Sequence, residues 1–454
     1  MTSAPQGLHP NLIFVFADQW RYQATGFGGD PNVQTPHLDA LAARSLHFTN
    51  AISGCPVCCP ARASLLTGQY PDHHGVFVND VHLGTDAVSL AQAYKAGGYD
   101  TAYIGKWHVD GHGRSAYIPP ERRQGFDFWQ VLECTHSYNE SYYYAGDDPN
   151  KRLWEGYDAI AQTRVAQEYI REHAQAAPYL LVLSWGPPHN PYETAPQHYR
   201  DMYDPAKLTL HPNVPAESMA IAREQLAGYY AHCSALDDLV GDLYQTLMES
   251  GQLENTILVF WSDHGDMLWS QGQERKQRPW EESIHVPLLI HAPQLFGQSG
   301  QVVDAPINTT DLMPTLLGLC DLPVPPTVQG QNYAPFLRGD ENAPADAVLL
   351  SCYHPFGEYN RPQRYGREYR GIRTLTHTYV RGLTAPWLLY DNVADPYQQQ
   401  HLINQPQVAA LQSQLDKQLD LLLDHYDDEF LPGMSYIERW GYALDETGTV
   451  PFVW

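Results

Sequence analysis

Basic residues are scarce in this chain. Its 454 residues include 27 Lys and Arg against 52 Asp and Glu, for a net charge of −25. Binding to nucleic acid or to an anionic bilayer needs a basic face, so neither is an expected partner. Long apolar runs are also lacking, and none approaches the roughly 18 residues of a membrane span. Met1 to Gly7 has no basic segment, and no apolar stretch precedes Asn11, so no secretory leader is predicted. Cysteine is sparse, and seven residues, an odd number, do not make a disulfide framework. The expected compartment is reducing and cytoplasmic. Internal repeats and low-complexity tracts are not evident. The hydrophobic content of 43% suffices for a sizeable core, which excludes a disordered chain.

What is present is a β–α rhythm. Residues 11–17 are apolar on consecutive positions, the pattern of a strand covered on both faces, and residues 101–104, 179–183, 256–260 and 286–290 repeat it. Helical patterns lie between them, at residues 37–45 and at Leu236, Leu239, Val240, Leu243 and Leu247, the latter stopped by Gly251. This order predicts an α/β domain, a large mostly parallel sheet sandwiched by helices, over residues 1–345. After the polar stretch at residues 338–344 come four short strand candidates and a helix striped by Leu411, Leu415, Leu419 and Leu422. Residues 346–454 are therefore expected to form a smaller α+β subdomain with an antiparallel sheet and a long helix. Its aromatic tail, from about residue 428, is too apolar for a disordered end.

The polar residues gather where strands end. The first strand runs into Asp18-Gln19, the second into Lys106 and His108, the third into His189 and the fourth into Asp263-His264. Ligands of open parallel sheets bind at the carboxyl ends of the strands. A single Asp after a strand is commonly a turn residue or helix cap, but four such ends at one edge point to a site. Asp18, Gln19, Asp263 and His264 suit a divalent metal: oxygen ligands favour Ca2+, Mg2+ or Mn2+, and the imidazole pulls toward Mn2+ or Zn2+.

The densest signal is Cys55-Pro56-Val57-Cys58-Cys59-Pro60-Ala61-Arg62. Cys55 and Cys58 form a C-x-x-C, which suits a redox pair or half of a zinc site, although no second pair follows. The alternative unit is Cys58-Cys59-Pro60-Ala61-Arg62 followed by Ala63-Ser64-Leu65-Leu66-Thr67-Gly68. This run resembles the signature of the type I sulfatases, in the alkaline phosphatase superfamily, at every constrained position. The likeness continues through Asn11–Gln19, Tyr70 to Val76, Gly105-Lys106-Trp107-His108, Pro187-Pro188-His189, Ser262-Asp263-His264-Gly265, Lys276 to Glu282, Asp311 to Thr315 and Leu389 to Pro396, and covers the chain to about residue 405.

The resemblance implies an alkaline-phosphatase-like fold and a sulfuric ester hydrolase. Cys58 would be oxidised to formylglycine by a separate maturation enzyme. Its hydrate would be the nucleophile and a ligand of one divalent metal, most simply Ca2+, held by Asp18, Gln19, Asp263 and His264. Arg62, Lys106 and Lys276 would surround the sulfate oxygens, with Asn79 as a further donor. Arg62 also suits holding the diol, and Asp263 suits assisting its deprotonation. His189 or Lys276 would protonate the leaving oxygen. His108 would take the proton of the second hydroxyl, so that sulfate is expelled and the aldehyde re-forms. Two positions depart from the commonest pattern: Gln19 and His264 stand where Asp and Asn are usual. That set resembles phosphonate monoester hydrolases, so hydrolysis of phosphonate monoesters or phosphodiesters is the alternative activity.

Residues 133–157 mix aromatic and polar groups suited to a sugar or aryl ring, or to packing. Arg361, Arg364, Arg367, Arg370 and Arg373 suit either an acidic substrate or pairing with surface carboxylates. His73 and His74 read as structural, and Cys55 and Cys59 as buried fillers. The expected substrate is a small anionic ester, since an acidic exterior repels long polysulfated chains. A homo-oligomer is compatible with the sequence.

Overall fold

Five parallel strands form the centre of the protein, seen in a computed structural model that describes residues 9–357 and 366–453. They are Thr256–Ser262, Asn11–Asp18, Tyr179–Pro188, Asp100–Lys106 and Phe128–Leu132, side by side in that order. Leu288–His291, the expected strand at 286–290, pairs antiparallel with Thr256–Ser262, and Tyr142–Ala145 closes the other side antiparallel to Phe128–Leu132. The full sheet has ten strands among the described residues.

The consecutive apolar residues of Asn11–Asp18 follow from its central place. Side chains alternate across a strand. Leu12, Phe14 and Phe16 enter one hydrophobic core with Cys58–Thr67 and Thr309–Leu319, while Ile13, Val15 and Ala17 enter a second with Asp158–Glu172 and Met219–Glu249. The leucines from 236 to 247 lie on the last of these, a helix of 31 residues. No described helix is long and apolar enough to cross a membrane.

The C-terminal sheet is antiparallel, in the order Ala347–Cys352, Tyr369–Thr374, His377–Gly382, Pro386–Asp391. One face packs on Ala409–His425 through Leu415, Leu419 and Leu423; the other packs on Met267, Trp280 and Ile284 of the larger part. The aromatic tail does pack: Tyr436 and Ile437 of Gly433–Trp440 are buried with Phe77 in the first core.

The basic stretch is neither pocket lining nor surface pairing where it is described. Arg361 and Arg364 lie outside the described residues. Arg367 stacks over Trp387 at 4.4 Å. Arg370 and Arg373 point to opposite faces of one strand, and each is buried against a carboxylate. Arg370 reaches Asp428 at 2.5 and 3.1 Å, and Arg373 reaches Glu281 at 2.8 and 3.1 Å. They pin the small sheet to the tail on one side and to the larger part on the other. Burial alone would push the Asp428 carboxyl up, but Arg370 outweighs it and holds it below the ordinary carboxylate range. Arg370→Ala strands a buried charge, and urea unfolding is expected to show a loss of about 3–5 kcal/mol. Because the folded Asp428 is the more acidic, the contribution of this pair is full above the ordinary Asp value and fades as the pH falls toward the lowered one.

Candidate active site

Strand register places the first two carboxylates. Ala17 lies beside Ser262 in the parallel pair, so Asp18 and Asp263 emerge together at the carboxyl edge. Both are fully buried, as is His264. Gln19 turns sharply away with φ of 74°, a left-handed conformation uncommon for a residue with a side chain. Its N–H donates to Asp263 Oδ1 at 3.0 Å, and the His264 N–H donates to the same oxygen at 2.9 Å.

Cys58 comes from the other direction, as the first residue of Cys58–Thr67. Pro60 fits the first turn, whose N–H groups have no helical partner. The N–H of Cys59 is satisfied by Asn79 Oδ1 at 3.1 Å. Asn79, expected near sulfate, thus caps the helix that carries Cys58. The Cys58 thiol sits 3.1 Å from Lys276 Nζ, 3.2 Å from His264 Nε2 and 3.6 Å from Asp18 Oδ1. Burial and Asp18 would push this thiol up, but Lys276, Lys106 and His264 outweigh them and hold it well below its ordinary value.

Arg62 stands four residues after Cys58, on the same helix face. Its guanidinium donates to Asp263 Oδ2 at 3.1 Å, Asp18 Oδ2 at 3.1 Å, Ser184 Oγ at 2.8 Å and the Lys106 carbonyl at 3.0 Å. These bonds go to the protein's own acceptors, so Arg62 braces the carboxylates from beneath. Lys106 does not lie out over Trp107: it is buried, with Nζ 2.5 Å from Asp18 Oδ2. Burial favours neutral Asp18, but Lys106, Lys276 and Arg62 outweigh it and keep the carboxyl well below the ordinary range. Burial and the charge of Asp18 push Asp263 the other way.

The donor set fits a divalent cation. One ligand atom each from Asp18, Cys58, Asp263 and His264 lie within 4.8 Å of one another. His264 Nδ1 is 2.9 Å from the Gly265 carbonyl, an acceptor only, so Nδ1 carries a proton and Nε2 is the ring atom that would ligate a cation. Gln19 is fixed with its amide N–H on Asp266 Oδ2 at 2.7 Å, leaving Oε1 facing Lys276 Nζ at 2.9 Å. Arg275 and Gln277, on either side of Lys276, have φ of 60° and 68°, strain of the kind that collects at functional sites.

The two remaining histidines flank this centre. His189 is buried, stacks on His136 with ring centroids 4.6 Å apart, and places Nδ1 2.8 Å from the Asn190 carbonyl. Burial and Lys276 hold it well below its ordinary value, so it is a neutral ring with a lone pair on Nε2. His108, with φ of 61°, has Nε2 3.7 Å from Asp80 Oδ1. Burial would lower His108 and raise Cys134, but each is moved the other way mainly by its partner: His108 is held well above its ordinary value and Cys134 well below.

The structure thus brings Asp18, Gln19, Cys58, Arg62, Lys106, His189, Asp263, His264 and Lys276 together, with His108 beside them and Asn79 one layer back. Sequence reasoning missed Asp266, Ser184, Asp80, Arg114 and Cys134. Asp266 stood three positions from Asp263 and Ser184 at the end of an expected strand, which were usable signals; Arg114 had none. Of residues 133–157, His136 reaches the site, whereas Tyr138 and Tyr144 pack in the interior. His74 is structural, bonded to Ser64 Oγ at 3.0 Å. All seven cysteines are free and buried, and burial pushes the thiols of Cys55 and Cys59 up to about 12 and 11.

Comparison with known proteins decides the class: the sulfatase family is matched over residues 10–322. The chain belongs to the sulfatase family. The sulfatase's residues 272–425 also match the C-terminal family of N-sulphoglucosamine sulphohydrolase. It is 45% identical to an ulvan-active sulfatase of Formosa agariphila, over 96% of this chain and 85% of that one. It is 31% identical to an endo-4-O-sulfatase of Bacteroides thetaiotaomicron, over 94% of each. Its structure resembles yidJ of Bacteroides fragilis, with a TM-score of 0.85, 29% identity and 96% and 99% of the two chains covered. It also resembles the phosphonate monoester hydrolase of Agrobacterium radiobacter, with a TM-score of 0.74, 25% identity and 92% and 96% coverage. The chain is a sulfuric ester hydrolase with a mostly parallel ten-strand sheet and a C-terminal antiparallel sheet.

Ca2+, Mg2+ or Mn2+ added to chelator-treated protein is expected to raise the melting temperature. At a concentration about 100 times the dissociation constant the stabilisation is ~2.7 kcal/mol. Asp263→Asn and His264→Ala should remove the shift; a shift that persists in both would place the metal elsewhere.

Proposed function

We propose that this sulfatase hydrolyses the sulfate monoester of a sulfated sugar, with residue 58 as nucleophile. The observation that carries the reading is the seat of Cys58, between Lys276 and His264 and above the Asp18–Asp263 pair. Formylglycine at residue 58 would supply a hydrated aldehyde as nucleophile, and a divalent cation held by Asp18, Gln19, Asp263 and His264 would lower the pKa of that group and draw charge off the sulfate.

The rest is work for the protein's own side chains. Lys106 and Lys276 put two ammonium groups beside the position of attack, where the sulfate oxygens gain charge. Arg62 keeps Asp18 and Asp263 aligned beneath it. The leaving oxygen takes its proton from Lys276, or from His189 once the bound anion has charged the imidazole. In the release half, His108 accepts the proton whose removal lets inorganic sulfate go, while Asp80 supports the imidazolium that forms.

The substrate class rests on the surroundings. A cavity of about 570 Å3 adjoins the site, lined by Asn190, Tyr192, Arg200, Tyr203, Glu224 and Arg275 among others. This is the size of a small-ligand pocket, and its carboxylates, guanidinium groups and phenols suit the hydroxyl groups of a sugar. The activities named for the two curated relatives agree with it. Gln19 and His264 and the likeness to a phosphonate monoester hydrolase favour a second reading, phosphonate or phosphate diester hydrolysis at the same centre. The transferred group carries one charge in either case.

Protein made with a formylglycine-generating enzyme present should be about 18 Da lighter than the encoded chain, from oxidation of the thiol. Cys58→Ser should abolish turnover without lowering the melting temperature. An unmodified Cys58 in protein made with that enzyme present, above all in protein that still turns over, would sink the mechanism; a higher kcat/KM for phenyl phosphonate than for aryl sulfate would select the second reading. For the cavity, Arg275→Ala should raise KM for a sulfated sugar by roughly tenfold, the loss of a charged hydrogen bond, and leave aryl sulfate turnover unchanged.

A further inference from the structure

The tail beyond Trp440 lies against the machinery around His108. Arg114 donates its backbone N–H to the Val453 carbonyl at 2.7 Å, and its guanidinium lies 3.4 Å from the centre of the Phe452 ring. The same guanidinium grips both oxygens of Asp80, through Nε and one terminal nitrogen, each at 2.8 Å. Asp80 Oδ1 in turn faces His108 Nε2 at 3.7 Å. Pro451, Phe452 and Val453 also wall a cavity of about 210 Å3 whose other lining includes Asp80 and Glu133.

The geometry points to Pro451–Val453 as a positioning element for His108, acting through Arg114 and Asp80. A guanidinium stacked on a ring is held in plane and shielded from water. A planar fork so held fixes both oxygens of its carboxylate. Asp80 then has one orientation left in which to meet the imidazole, and its separation from Nε2 is the loose apo distance that tightens when a catalytic hydrogen bond is made. Without the ring, water reaches the fork, Asp80 gains freedom, and His108 loses its orienting partner. The inference rests on the reading of His108 as the release-half proton acceptor.

Steady-state and stopped-flow assays with an aryl sulfate test this on the matured full-length enzyme. His108→Ala sets the reference: kcat and KM should fall together, kcat/KM should hold, and a burst of about one phenol per enzyme should precede the slow phase. Phe452→Ala should show the same pattern more mildly, with kcat lowered about fivefold or more. Phe452→Leu, which keeps the apolar cover but offers no ring face, should follow it, and Phe452→Trp should restore wild-type behaviour. Thermal melting confirms that each variant is folded. A merely structural tail would lower the melting temperature and kcat/KM without a burst, and that result, or wild-type kcat in both Phe452→Ala and Phe452→Leu, overturns the proposal. Lack of a burst in His108→Ala would overturn the role of His108 itself, and the proposal with it.

Discussion

Two carboxylates buried side by side govern this active site. Asp18 and Asp263 are delivered to one point by the pairing of neighbouring parallel strands, in a place without solvent. Buried charges of like sign are costly unless cations answer them. The surroundings supply those cations in layers: Arg62 bridges the pair from below, Lys106 contacts Asp18 from the side, and Lys276 closes the top through Gln19 and Cys58. His264 Nε2 and Gln19 Oε1 face the same centre and complete the set of atoms that would hold a divalent cation. Arg62 is held by both carboxylates, so any turn of its guanidinium toward a substrate would release them.

The same constraint explains the strained backbone around it. Gln19, His108, Arg275 and Gln277 all have left-handed φ values, and each lies at or beside a residue that must leave its strand or loop abruptly to reach the centre. Dense hydrogen bonding over-determines these turns: the Gln19 N–H, its carbonyl and its side chain are all engaged, by Asp263, Tyr229, Asp266 and Lys276. Rigidity of this kind suits a reaction whose catalysis is mostly positioning and charge.

Most of the fold and the inner ring of the site were legible in the sequence. Consecutive apolar residues at 11–17 marked a doubly covered strand, and polar residues after each strand marked the working edge. What stayed hidden depends on distant partners. No local pattern says that Arg370 and Arg373 serve opposite faces of a strand until its neighbours are known; their spacing merely looked like a basic surface. Asn79 was read as a further donor near the sulfate; its second task, accepting the Cys59 N–H at the end of the Cys58 helix through Oδ1, depends on a contact across 20 positions. Arg114 gave no signal, since its role arises from a carboxylate 34 positions earlier and a ring near position 452.

The net charge of −25 sets the terms on which substrate arrives. An acidic exterior repels an anionic ester at long range, so capture has to rest on a field that is local. The cations at residues 62, 106 and 276 are the sources of that field, and part of it is spent on Asp18 and Asp263. A resident divalent cation would therefore do more than polarise the ester: it would satisfy the two carboxylates and free Lys106 and Lys276 for sulfate. Among Lys106, Lys276 and Arg62, the lysines are the groups able to make that exchange. An ammonium on one oxygen can swing to another, whereas a guanidinium forked across two carboxylates stays where it is.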